Sequence, residues 1–298
     1  MPRSARSIAG RPPCPARAER PPARATVDGM RLPLYQVDAF TGHLFKGNPA
    51  AVCPLDAWLP DGLLQSIAAE NNLSETAFYV RTGDRYHLRW FTPAVEVDLC
   101  GHATLASAHV ILGIRREIDA PRVVFSTRSG ELAVERDGDL YALDFPARPP
   151  EPCEPHPLLR EALGAPPQAI LAARDYLCVY GSQEELAAIA PDMQKLAAVD
   201  KFAVIVTAPG RDCDFVSRFF APAKGIPEDP VTGSAHCTLI PYWAARLGKD
   251  KLFARQISLR GGELWCENRG KRVRIAGHAV TYMEAVIGIP DADLGEER

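Results

Sequence analysis

Gly101-His102 and Gly233-Ser234 each open a long apolar stretch with helical patterning. A helix start of that composition can bind an anion, because its first N–H groups lack intrahelical partners and carry partial positive charge. Glycine permits close backbone approach, and His102 or Ser234 can add a side-chain contact. Helix capping explains the same residues without any ligand. Different chemistry is available at Glu75, in Asn71-Asn72-Leu73-Ser74-Glu75-Thr76 between a helix and a strand. A carboxyl buried at the base of a strand can hold its proton more tightly and act as a general acid/base. In an open loop the same residue is an ordinary solvated carboxylate. Asp98 and Asp229 lie in the loops before the two helices, where either could orient a substrate or pass a proton. Asp229-Pro230 also reads as a simple turn. Cys100 precedes Gly101, a place where thiolates are stabilised; its counterpart before Gly233 is Thr232. Gly47-Asn48-Pro49 is a turn that could border the same cleft.

The elements that must position these residues occur twice. Slid by 132 positions, Gly101, Ala103, Ser126 and Arg128 fall on Gly233, Ala235, Ser258 and Arg260. Gly130-Glu131-Leu132 falls on Gly262-Glu263-Leu264, Glu135 on Glu267 and Gly138 on Gly270. Upstream, Arg89-Trp90-Phe91-Thr92-Pro93-Ala94 resembles Arg218-Phe219-Phe220-Ala221-Pro222-Ala223 at an offset of 129. Each copy reads as a strand (Tyr86–Phe91, Phe215–Phe220), a Pro turn, a loop, a glycine and a helix. The helices are expected at His102–Leu112 and Ser234–Leu247, the second ending at Gly248 and bent or broken at Pro241. A hairpin follows each helix, Glu131–Arg136 with Asp139–Phe145 and Glu263–Glu267 with Lys271–Ala276. Further strands are expected at Tyr35–Ala39, Thr76–Val80, Tyr176–Tyr180, Ala203–Thr207 and Ala279–Val286. Short helices are expected near Asp61–Glu70, Gln183–Ala190 and Asp192–Ala198.

The expected fold is α+β: two pseudo-symmetric domains, each a mostly antiparallel β-barrel or curved sheet around one apolar helix. The domains are expected at 30–148 and 149–298, joined by the proline-rich run Pro146–Pro157, with a cleft between them that both helix starts face. Residues 1–29 hold six arginines, six prolines and only two acids, and are expected to be a disordered extension or to precede a true start at Met30.

Composition narrows the function. The chain is 47% hydrophobic and 24% charged, within the globular range. A net charge of −3 gives no pull toward nucleic acid or acidic membranes, and no apolar run is long enough to span a bilayer. The eight cysteines include no C-x-x-C pair, so reduced thiols in a cytoplasm are expected. No dinucleotide fingerprint, Walker loop or metal-ligand cluster is present, so no cofactor or metal is expected.

Five segments resemble a known family. Asp38-Ala39-Phe40-Thr41, Gly47-Asn48-Pro49-Ala50, Asn72-Leu73-Ser74-Glu75-Thr76-Ala77-Phe78, Cys100-Gly101-His102-Ala103-Thr104 and Glu228-Asp229-Pro230-Val231-Thr232-Gly233-Ser234-Ala235-His236 resemble the PhzF-like phenazine-biosynthesis family. The resemblance runs from about Leu32 to Gly288 and implies a diaminopimelate-epimerase-like fold and a homodimer. It also implies a cofactor-independent isomerase acting on a small carboxylated substrate. Glu75 matches the family's general acid/base, and His102, Asp229 and Ser234 match its other polar site residues. Gly101 and Gly233 match the backbone anion anchors. Related racemases use two cysteines; with Cys100 facing Thr232, two-thiol racemisation is not expected here. The alternative is a non-catalytic metabolite-binding or protein-interaction protein on the same fold.

Overall fold

The computed structural model describes residues 29–291, so the expectation for the N-terminal extension lies almost entirely outside the described residues. The first half holds β1 (Gly29–Ala39), β2 (Asn48–Leu55), α1 (Asp61–Asn71), β3 (Glu75–Thr82), β4 (Arg85–Phe91) and β5 (Glu96–Val97). It continues through α2 (Gly101–His109), β6 (Arg122–Thr127), β7 (Gly130–Asp137) and β8 (Leu140–Pro146). Then come β9 (Glu151–Pro152), α3 (Leu159–Leu163), β10 (Ala169–Ala172), β11 (Tyr176–Val179), α4 (Gln183–Ala187), α5 (Met193–Ala197) and β12 (Val204–Pro209). The chain ends through β13 (Phe215–Phe220), α6 (Gly233–Leu247), β14 (Lys251–Gln256), β15 (Gly262–Asn268), β16 (Arg272–Gly277) and β17 (Ala279–Pro290). Among the described residues no helix is long and apolar enough to cross a membrane.

The sheet is mixed and mostly antiparallel, and its four parallel ladders fall at matching places in the two halves. β2–β3 and β4–β6 are parallel in the first, β11–β12 and β13–β14 in the second. A parallel pair needs a crossover, usually helical, and the two central helices α2 and α6 supply it for β4–β6 and β13–β14. The duplication extends to register: Tyr86 faces Phe125 and His87 faces Ser126, while 129 residues later Phe215 faces Ala254 and Val216 faces Arg255. It extends to a two-pronged ion pair as well. Arg89 Nε and Nη2 donate to Glu96 at 2.8 Å each, and Arg218 Nε and Nη2 donate to Glu228 at 2.8 and 3.0 Å. In each copy this pair ties a strand to the segment that leads into the central helix.

The halves are joined along β8–β16, and the chain then crosses back: β17 pairs with the whole of β1, from Gly29 with Pro290 to Ala39 with Ala279. Both central helices are buried. α2 hides every residue from Gly101 to Ala108, as its all-round apolar composition requires. It continues into a π-helical turn, Val110–Ile114, past the expected end at Leu112. His109 reaches the Tyr141 hydroxyl at 3.1 Å there, and a β-carbon on Gly113 would stand only 2.8 Å from that same oxygen. Pro241 does not break α6, which runs on to Leu247 and stops at Gly248 in the left-handed conformation. A proline donates nothing to the carbonyl four residues earlier, here Cys237, and the Arg148 N–H takes that place at 2.8 Å.

Six strands escape the sequence reading: β2, β6, β10, β14 and the short β5 and β9, together with helix α3. Ala-Val-Cys-Pro in β2 and Lys-Leu-Phe-Ala-Arg-Gln in β14 do not alternate cleanly, since β2 is buried on both faces.

Candidate functional site

Helix α1 ends on Asn72 with φ 48°, a left-handed C-cap that turns the chain back toward the sheet. The next residues deliver Glu75 as the first residue of β3, where it pairs with Ala50 of β2. The carboxyl is therefore buried at the base of a strand and not solvated in a loop (8% exposed). Its Oε2 lies 3.1 Å from Nε2 of His102, the second residue of α2. The contact is off the line a hydrogen bond needs, so neither atom has a hydrogen-bonding partner among the described residues.

The opposite nitrogen of His102, Nδ1, stands 3.5 Å from Cys100 Sγ. Burial alone would strip the proton from this imidazole, but the neighbouring Cys100 and the Glu75 carboxylate outweigh it and raise its pKa well above the ordinary histidine value. Burial, reinforced by Glu75, pushes the Cys100 thiol up to about 11, so it is protonated at neutral pH. The thiol, imidazole and carboxylate ligand atoms all lie within 4.8 Å of one another. The thiol and carboxylate, however, sit at different ring nitrogens, whose lone pairs diverge. One ion cannot use both, so the trio does not offer three converging ligands.

Asp229 faces this group from the second half. Its Oδ1 accepts from Asn48 Nδ2 at 2.8 Å and its Oδ2 from the Thr232 hydroxyl. Burial pushes its pKa up to about 6, against the downward pull of His102, Thr232 and Asn48. Gln256 completes the network: Nε2 donates to the Asp229 carbonyl at 2.7 Å, and Oε1 accepts from the Thr232 N–H at 2.8 Å. Asn48 lies at the start of β2 and also donates to Val231 O at 2.9 Å, so the network stitches the two halves together.

The two helix starts meet head to head. A β-carbon on Gly101 would lie 3.6 Å from Gly233 Cα, and one on Gly233 would lie 3.7 Å from Gly101 Cα. Neither N-cap residue, Cys100 or Thr232, caps with its side chain, so capping does not account for these positions. Beside them is a cavity of about 170 Å³ bordered by Gly101, Ser234, Phe145 and Arg148. Ser234 Oγ accepts from Arg174 Nη2 at 3.3 Å, and Arg174 is itself held by the buried Asp175.

The structure thus brings Glu75, Gly101, His102, Asp229, Gly233 and Ser234 into one region. Asp98 is left out, exposed on its loop, with only its carbonyl engaged by Ser129. Glu75, His102 and Asp229 do not line the cavity. Sequence reasoning missed Gln256, Arg148 and Arg174; a lone glutamine or arginine beside a strand has no spacing signal. Asn48 was marked only by its turn. A larger hollow, of about 1040 Å³, lies elsewhere beside Arg136 and Trp265 and is bordered by none of these residues.

Comparison with known proteins gives the family. The family model for phenazine biosynthesis-like proteins (PhzC-PhzF) matches residues 37–285. A Pseudomonas aeruginosa protein called an uncharacterized isomerase is 54% identical, covering 87% of this chain and 99% of its own. The crystal structure of a PhzF-family protein from Enterococcus faecalis superposes with a TM-score of 0.85 at 48% identity, covering 87% of this chain and all of that one. A predicted epimerase from Pseudomonas aeruginosa, 18% identical over 86% of this chain and 99% of its own, shares the fold at a TM-score of 0.66. The chain belongs to the phenazine biosynthesis-like (PhzF) family.

Proposed function

We propose that the protein is a cofactor-independent isomerase that moves a proton between two carbons of a small carboxylated metabolite. The observation that carries this is the buried Glu75 carboxylate, 3.1 Å from His102 and without a hydrogen-bonding partner for Oε2. The substrate carboxylate sits on the uncapped helix starts at Gly101 and Gly233, with Ser234 beside it. Glu75 removes a proton from carbon, and the electron pair left behind spreads into the substrate under the field of the two helix starts. The same carboxyl then returns the proton at another carbon. His102 and Asp229 orient the substrate and assist transfer. Burial of all three side chains fits a closed state in which water cannot quench the intermediate.

The matching crossovers and register support reading the two halves as pseudo-symmetric barrels, each wrapped round its central helix. We place the enzyme in the cytoplasm as a homodimer; the exposed Phe45, Tyr282 and Val286 offer an apolar surface for a second copy.

The test is proton exchange in deuterium oxide, followed by mass spectrometry on a panel of small carboxylic and amino acids. At least one acid should gain mass with the native enzyme, and Glu75→Gln should abolish the gain while retaining binding. Undiminished exchange in that variant removes Glu75 as the acid/base. Tight binding without exchange in the native protein favours a metabolite-binding role.

A further inference from the structure

The cavity beside the helix starts has one charged residue in its wall, Arg148, and no acid. Its guanidinium makes no side-chain hydrogen bond or ion pair among the described residues, and Nη1 is shut off from solvent with no partner. Buried arginine nitrogens are ordinarily paired. The acids of this region have other bonded partners: Asp175 is bonded to Arg174, with Arg148 only a further and weaker attraction, Asp229 is bonded to Asn48 and Thr232, and Glu75 stands against His102. Nor is Arg148 a loose surface side chain. Its N–H is held by the Cys237 carbonyl that Pro241 leaves free, and the Ala147 N–H donates to Lys271 O at 2.9 Å. Pro241 therefore creates the acceptor that fixes the arginine over the cavity.

Two helix starts supply about half a positive charge each, which one carboxylate balances. The full charge of Arg148 is additional to theirs. Apolar walls at Leu132 and Phe145 keep the space between low in dielectric, where an unpaired cation attracts an anion strongly. We infer that the substrate carries a second acidic group, and that Arg148 binds it while the helix starts hold the first carboxylate. The substrate class becomes a small dicarboxylate or its equivalent with another oxyanion. This rests on the carboxylate reading above.

The experiment compares binding of succinate, glutarate and adipate with binding of butyrate, by calorimetry, to the native protein and to Arg148→Met and Arg148→Lys. At least one diacid should bind the native protein ten or more times tighter than butyrate. Arg148→Met should erase that preference with butyrate affinity little changed, and Arg148→Lys should keep part of it. The methionine variant should melt no lower than the native protein, since it removes an unpaired charge from an apolar wall. Butyrate binding without any diacid preference, or a preference that survives in Arg148→Met, overturns the inference alone. Failure of all four acids to bind overturns it together with the carboxylate reading.

Discussion

Replacing Glu75 by glutamine removes one charge and almost no volume, so its first effect should be felt by His102. At 3.1 Å, with an effective dielectric near 20, the attraction between carboxylate and imidazolium is about 5 kcal/mol. Both side chains are buried, so solvent screens little of it, although the cost of burying the cation takes back a part. The Cys100 thiol, pushed up to about 11 by burial and by Glu75, should itself ionise more easily once that carboxylate is gone. In Glu75→Gln one of the two neighbours that raise the ring is lost while Cys100 remains, so the His102 pKa should fall from its native position. Nitrogen-15 histidine NMR across pH 4 to about 10 reads this directly, because the usual value is near 6.5. The linkage has a definite sign. A raised histidine pKa gives stability that is complete below the unfolded value and is lost as pH rises through the folded one. Urea unfolding of the native protein should weaken through that alkaline range, and in the variant the weakening should begin at lower pH. A His102 whose titration does not move in Glu75→Gln would refute the pairing of the two side chains.

Two further outcomes concern the network that Asp229 anchors. With its pKa pushed up to about 6 from 3.8, the folded state holds this proton more tightly than the unfolded chain. Stability should fall by about 3 kcal/mol as pH rises from roughly 4 to 6. Asp229→Asn should flatten that slope in urea melts, and a slope that persists would remove Asp229 as its source. Gln256→Leu strands the Thr232 N–H and the Asp229 carbonyl inside the protein, at about 1–3 kcal/mol for each orphaned group. A loss of about 2–6 kcal/mol in unfolding free energy is expected, and a neutral result would show that Gln256 is not what holds the Asp229 loop.

What the sequence made legible follows from where the physical signal was local. Central helices that are apolar all round, glycines at their starts, and turn residues such as Asp137-Gly138 announce themselves in a few residues. The repeat at 129 and 132 positions then made each half a check on the other. Glu75 was legible only through its family motif, since nothing in Ser74-Glu75-Thr76 distinguishes a buried carboxyl from a solvated one. Its burial depends on pairing with Ala50 and on His102, both distant in sequence. Gln256 and Arg148 were illegible for the same reason: their partners, Thr232 and the Cys237 carbonyl, are brought near only by the fold. The missed strand β14 lies between a helix end and a clear hairpin, and its mixed Lys-Leu-Phe-Ala-Arg-Gln pattern resembles an irregular connection.

The return of β17 to pair with β1 has a consequence for synthesis. A chain leaving the ribosome presents Gly29–Ala39 early, yet the strand that pairs with it along its whole length emerges about 250 residues later. Until then Leu32 and Leu34, buried in the finished protein, lack part of their cover and β1 keeps an open edge. The first half therefore cannot complete its fold on its own schedule, despite containing Glu75 and His102. Such a long-range closure slows folding and exposes an edge to wrong partners meanwhile. The duplicated halves are obliged to mature together.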